Sequence, residues 1–211
     1  NKKKVFFHNI KKKTTAVFKS KISLNKDISI TDNGEFLYAI DDSGTCLKLN
    51  RKTGVFTFVA LPNFIKQDVA NANGTIYSDS KKGLWLYSYK NEQVFYKKNA
   101  DEEWKSYKLI SGLKTVSNAI SSISENQFGQ IWIGTDHKGL FVYDKEQDLF
   151  KNVVYNPWIE TGLTSNSVSC LYKDNNETIW VGYNKKGLSF YHESFRNFIN
   201  FRHPECSDVS S

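Results

Sequence analysis

The stretch "QIWIGTDHKGLFVYDKEQDLF" begins at Gln130 and returns 48 residues later, from Thr178, as "TIWVGYNKKGLSFYHESFRNF". A phrase of large aromatics and glycines that recurs at a fixed interval restricts the fold to arrays in which every unit packs on the next in the same way. Traced on its second glycine, the unit falls at Gly44, Gly83, Gly139 and Gly187, at spacings of 39, 56 and 48. Nine or ten residues before each lies a turn position, Gly34, Gly74, Gly129 or Glu177. Between the two turns runs an apolar strand: "EFLYAID", "TIYSDS", "QIWIGTD", "TIWVGYN". The segments "DISITD", "VANAN", "AISSISEN" and "SVSCLYKDN" precede it as first strands, and "TCLKLN", "LWLYSY", "LFVYD" and "LSFYH" follow it as third strands. An apolar position seven residues past each third strand marks the fourth. Four short strands per unit, joined by tight Gly, Asn and Asp turns with a period in the forties, describe a β-propeller blade.

The expected fold class is therefore all-β: a partial β-propeller of about four full four-stranded blades plus a half-blade. The boundaries read as a half-blade of outer strands at 1–20, and blades at 21–62, 63–116, 117–164 and 165–202, with the start of a next blade at 203–211. The 56-residue spacing calls for an insertion at 91–108, in which "EQVFYKK" and "EWKSYKL" compete for the outer strand. A second extension, "NVVYNPWIETG", precedes the last full unit. No segment sustains the apolar period of an amphipathic helix over three turns. The half-blade and the lack of any methionine fit an excerpt of a larger propeller.

No apolar run approaches the roughly 18 residues of a membrane-spanning helix. The net charge of +7 comes from scattered lysines with no nucleic-acid motif beside them, which reads as solvated surface. Cys46, Cys170 and Cys206 are odd in number and far apart, and read as packing residues. His8, His137, His192 and His203 are dispersed, so no metal centre and no cofactor is expected. No nucleophile elbow, zinc-protease or phosphate-loop motif is present, and no catalytic residue is assigned.

With "SNAISSISENQFGQIWIGTDHKGLFVYD" and "NSVSCLYKDNNETIWVGYNKKGLSFY" on the page, the pattern resembles the two-component regulator propeller repeat. The last two units match it closely, through the "SGLKTVSNAI" and "TGLTSNSVS" openings and the "IWIGT" and "IWVGY" strands; the first two match by period alone. The resemblance implies the periplasmic or extracytoplasmic sensor region of Bacteroidetes hybrid two-component systems, a signal-transduction role, and an oligosaccharide ligand. The rest of the propeller and downstream histidine kinase domains would be its partners, with a homodimer as the assembly. A scaffold that grips another protein and a propeller polysaccharide lyase stand as the alternatives, since one fold hosts many functions.

The repeat assigns Gly83, Trp132, Gly134, Gly139, Trp180, Gly182 and Gly187 to structure, because packing must recur whereas ligand contacts need not. Trp180 is thus expected in the layer between blades, with Ile179 and Val181 on the other face of its strand. Candidate ligand-binding residues lie elsewhere. Trp104 and Trp158 belong to the non-repeating extensions and could present aromatic surface. Lys82, Lys138 and Lys186 each precede a glycine and would set a basic arc on one rim, with His137 beside it, suited to an anionic saccharide.

Overall fold

The computed structural model describes residues 4–9, 13–19, 24, 27–70, 72–89, 92–99, 101–112, 119–144 and 146–201. An antiparallel pair, β1 (Lys4–Asn9) and β2 (Thr14–Lys19), comes first. Four sheets of four antiparallel strands follow. The first blade is β3 (Ile28–Asp32), β4 (Phe36–Asp41), β5 (Cys46–Asn50) and β6 (Phe56–Phe58). A short helix, α1 (Asn63–Val69), leads to the second blade: β7 (Thr75–Ser78), β8 (Leu84–Tyr87), β9 (Gln93–Lys97) and β10 (Lys105–Lys108). The third is β11 (Ile120–Glu125), β12 (Ile131–Thr135), β13 (Leu140–Asp144) and β14 (Leu149–Val153). The fourth is β15 (Val168–Lys173), β16 (Ile179–Tyr183), β17 (Leu188–His192) and β18 (Asn197–Phe201). Each blade is an up-and-down meander. The all-β blade architecture is that of a propeller.

Three apolar clusters hold the blades together, one at each interface. Tyr38, Ile40 and Cys46 meet Ile76, Leu84, Leu86 and Phe95, with Ile65 and Val69 of α1 closing one side. Trp85, Tyr87 and Val94 meet Ile131, Ile133, Phe141 and Tyr143. Trp132 and Leu140 meet Val168, Ile179, Val181 and Tyr183. Alternation along a strand produces this: Leu84 and Leu86 point back to the first blade while Trp85 points on to the third. Fully burying such side chains is worth roughly 1.5–3 kcal/mol each, so the interfaces carry the fold. Polar bonds fix the seating. Ile76 and Ser78 donate their backbone N–H groups to Ser29 Oγ and Thr31 Oγ1 at 3.2 and 3.0 Å, and Ser121 Oγ donates to the Val168 carbonyl at 2.6 Å. At Gly134 a Cβ would stand 2.6 Å from Val168 Cγ1, so only glycine lets the third blade approach the fourth this closely.

The structure corrects the repeat register in the second blade. "VANAN" is no strand: it spans the end of α1 and a turn, and "TIYS" is the first strand, beside β3. Residues 91–108, expected as an insertion, hold β9 and β10, so both competing segments are strands. Gly83 therefore sits in the first turn of its blade, in line with Gly34, Gly129 and Glu177, and not with Gly139 and Gly187. The physical marker of that turn is a carboxylate. Asp79 Oδ1 accepts the N–H of Lys81 and Gly83 at 3.0 and 2.7 Å while Oδ2 accepts the Trp85 indole N–H at 2.9 Å. Asp174 repeats the set with Asn176, Thr178 and Trp180 at 2.8, 3.0 and 2.8 Å. In the third blade Asn126 accepts from Phe128 and Gln130, and the Trp132 indole turns to Gln130 Oε1 at 3.4 Å, because an amide has only one acceptor oxygen to offer. On this marker the blades run Asp32, Asp79, Asn126, Asp174, a nearly constant period of 47 to 48 residues. Trp85 is the second blade's counterpart of Trp132.

Trp180 points as expected, opposite Ile179 and Val181, but no blade covers it among the described residues. It is partly exposed, lying with Phe190 (ring centroids 5.3 Å apart) on the outer face of the last sheet, where Tyr172, Leu188 and Phe201 are also exposed. Cys46 is buried, with its thiol pushed up to about 12 chiefly by burial, whereas Cys170 is exposed on that same outer face, against the packing role expected of it. Cys206, His8, His203 and the segment 203–211 are not among the residues whose side chains the structure describes.

Candidate ligand-binding rim

In an up-and-down blade the turn between second and third strands shares one edge with the loop that enters the next blade. His137, Lys138 and Lys186 lie on this edge, in the β12–β13 and β16–β17 turns. Gly139 closes the first of these with φ +75°, and its N–H donates to the Asn166 carbonyl at 2.8 Å. A Cβ at Gly139 would fall 2.3 Å from the Val153 carbonyl oxygen, so the turn admits no other residue without rearrangement. The three lysines do not form one arc. Lys82 is in the β7–β8 turn, on the opposite edge, 3.4 Å from Glu35. The strand shift in the second blade is the cause. Lys138 is buried and its ammonium is held by Glu92 of the second blade, so its charge is already matched. His137 is exposed, with Nδ1 3.4 Å from Asp136 Oδ2, and Lys186 is exposed.

The two extension tryptophans part company. Trp104 is half-buried against the cluster between the first two blades, and its buried indole N–H has no hydrogen-bond partner among the described residues. It covers a core edge. Trp158 is 91% exposed. Its loop is nonetheless tightly built: Asn156 Oδ1 accepts the Trp158 N–H at 3.0 Å, and the Asn156 carbonyl accepts the Ile159 N–H at 3.1 Å. Asn200 donates its side-chain amide to the carbonyls of Glu160 and Gly162, and Phe198 donates its N–H to Thr161. Asn166 Oδ1 accepts the Tyr155 N–H at 2.7 Å, and Ser167 Oγ donates to Asp136 at 2.7 Å. A fixed loop thus bridges the third and fourth blades and presents a bare indole, flanked by exposed Tyr155 and Ile159. Such a surface suits stacking on an apolar ring face.

The nearest approach to an acid–base centre lies on the other edge, between the second and third blades. Asp148 accepts hydrogen bonds from both Tyr143 and Tyr107 and pairs with Lys105 at 3.0 Å. Tyr143, Tyr107 and Lys105 together hold its carboxyl down to about 2, while burial raises both phenols above their usual range. Near neutral pH the carboxylate is a fixed anion and the phenols stay protonated. The cluster therefore latches two blades. Among the described residues no group of His, Cys, Asp and Glu is arranged to hold a metal ion.

Residues 162–185 match the family model described as two component regulator propeller. This segment is similar to a two-component regulator propeller repeat. It runs from the rim loop through β15 and β16, and includes Asn166, Ser167 and the Asp174–Trp180 pair. No curated protein is significantly similar to the chain in sequence. Among solved structures the chain is similar to a streptogramin B lyase, at 11% identity and a TM-score of 0.63, covering 89% of this chain and 58% of that one. A catalytically inactive virginiamycin B lyase from Staphylococcus aureus with quinupristin matches at 15% identity and a TM-score of 0.60, over 85% of this chain and 57% of that one. The extracellular domain of BT4673 from B. thetaiotaomicron, described both as a putative hybrid two component system and as a putative one component system, matches at 13% identity and a TM-score of 0.44 over 89% of this chain. The chain spans 31% of that domain's length and less than two thirds of either lyase. At these identities the likeness to the lyases is one of fold.

Proposed function

We propose that this chain is part of the propeller of an extracytoplasmic two-component regulator, and that it senses an oligosaccharide without turning it over. The regulator repeat at 162–185 carries this reading. The same segment seats the loop that holds Trp158 at the seam of two blades. A sugar ring stacked on Trp158, with His137 and Lys186 at its margin, would touch both blades at once. Its binding energy would then bias how the blades sit against each other, which is what a sensor must convert into signal. A protein partner gripping the same loop is the second reading, favoured by the exposed Ile159 next to Trp158.

A glycan array with the purified chain tests the proposal. Binding to defined oligosaccharides that is lost in Trp158→Ala, with unchanged melting temperature, is the expected result. No binding to any glycan would overturn it, and cleavage of a polysaccharide would replace it with the lyase reading.

A further inference from the structure

Between the first and second blades, towards the edge opposite the rim, lies a cleft of about 270 Å³. Tyr38, Lys48 and Phe58 line it from the first blade, and Lys82, Leu84 and Lys97 from the second. Lys48 is half-buried, with its ammonium 5.0 Å from the centre of the Phe36 ring, and Lys97 is half-buried on the facing wall. Neither makes an ion pair among the described residues; Lys82 has only the 3.4 Å contact to Glu35, with both side chains largely exposed.

The next cleft along, between the second and third blades, supplies an internal control. It measures about 380 Å³ and also contains three lysines, Lys81, Lys98 and Lys105. There, however, Asp79 and Glu125 are part of the lining, and Lys98 and Lys105 pair with Glu102 and Asp148. The second cleft is balanced by its own carboxylates. Among the described residues the first has no carboxylate in its lining. Like charges facing one another across a cleft with low-dielectric walls repel, and their summed field concentrates anions there. The uncharged lining, Tyr38, Val59 and Leu84, offers apolar surface.

We propose that this cleft is an anion site for a phosphate or sulfate ester carried on a single ring: the ester sits between Lys48 and Lys97 with Lys82 at the mouth, and the ring lies against Tyr38 and Val59. The site is separate from the Trp158 rim and stands or falls without it.

Calorimetric titration with phenyl phosphate, phenyl sulfate, inorganic phosphate and sodium chloride at matched ionic strength tests it. Either ester should bind, the preferred one identifying the source of the anion, and inorganic phosphate should bind at least tenfold more weakly for want of the ring. Lys48→Gln/Lys97→Gln should weaken ester binding at least tenfold, whereas Lys98→Gln, in the balanced cleft, and Trp158→Ala should leave it unchanged. Salt dependence of the unliganded protein gives a second readout: wild type should gain melting temperature as salt screens the cleft, and the double variant should gain less. Esters that bind no better than chloride, equal weakening by Lys98→Gln, or a double variant with wild-type affinity would each overturn the assignment.

Discussion

Trp132 and Trp180 occupy the same place in successive repeats, and their strands read "IWIGT" and "IWVGY". All five residues of β12 are buried, but β16 is buried only at alternate positions. Trp132 is 4% exposed because Tyr191 and Phe198 of the following blade lie against it, with ring centroids 5.0 and 6.0 Å away. Trp180 faces outwards with no following blade among the described residues. The repeat thus sets where a side chain points, and the neighbour sets what that direction is worth. One phrase gives a core strand in one place and a half-covered strand in another.

The largest expected effects probe that difference directly. Trp132→Ala should cost about 3–5 kcal/mol, read from urea denaturation, and Trp85→Ala, removing a side chain 1% exposed, should match it. Trp180→Ala should cost well under half as much. Equal losses would mean that the outer face of the last blade is covered in solution. Next come the carboxylates that receive the indoles. Asp79→Asn should destabilise by about 1 kcal/mol, the worth of a typical hydrogen bond, and Asp174→Asn by less, since its tryptophan is partly hydrated already. Indole fluorescence and thermal melts would check both, and a larger loss at Asp174 would contradict the ordering.

A smaller effect separates the interfaces by pH. The Asp148 carboxyl is held near 2, below its ordinary value near 4. A depressed carboxyl contributes stability above its unfolded pKa and loses it as pH falls through the folded one. The latch between the second and third blades should therefore weaken from about pH 5 down to 2. Asp148→Asn should flatten the melting temperature over that window, modestly, because the side chain is half exposed. In the fourth blade the corresponding turn position is Arg196, which like Asp148 has positive φ, so that turn offers no carboxylate to latch the last interface in this way. The smallest effect belongs to Trp158→Ala, which should change stability by less than about 0.5 kcal/mol.

The blade count, the strand order in three of four blades and the placement of Trp180 on the strand face opposite Ile179 and Val181 were legible from the period and from alternation; the layer expected to cover Trp180 is not found among the described residues. The second blade was misread for a specific reason. "DSKKGLWLYS" resembles both "TDHKGLFVYD", a second turn, and "DNNETIWVGY", a first turn, since each ends a polar turn on an apolar strand. Six residues from an aspartate to a tryptophan is the signal that separates them, because that spacing lets a carboxylate hold its own turn and the indole together. Missing it displaced Lys82 by a whole turn and produced a basic arc the molecule does not have. Trp104 was misjudged with it, as part of an insertion that is in fact two strands. Nothing in the chain announces the cleft of Lys48 and Lys97, whose walls are 49 residues apart and meet only when two blades pack.

The outer face of the last blade bears exposed Tyr172, Leu188 and Phe201, and the face of β3 turned away from the second blade bears exposed Ile28 and Ile30. A contact joining one face to the other on a second copy would be head-to-tail. Its symmetry would be a rotation with no built-in stop, closing into a ring only if the angle per copy divides a full turn and otherwise winding into a filament.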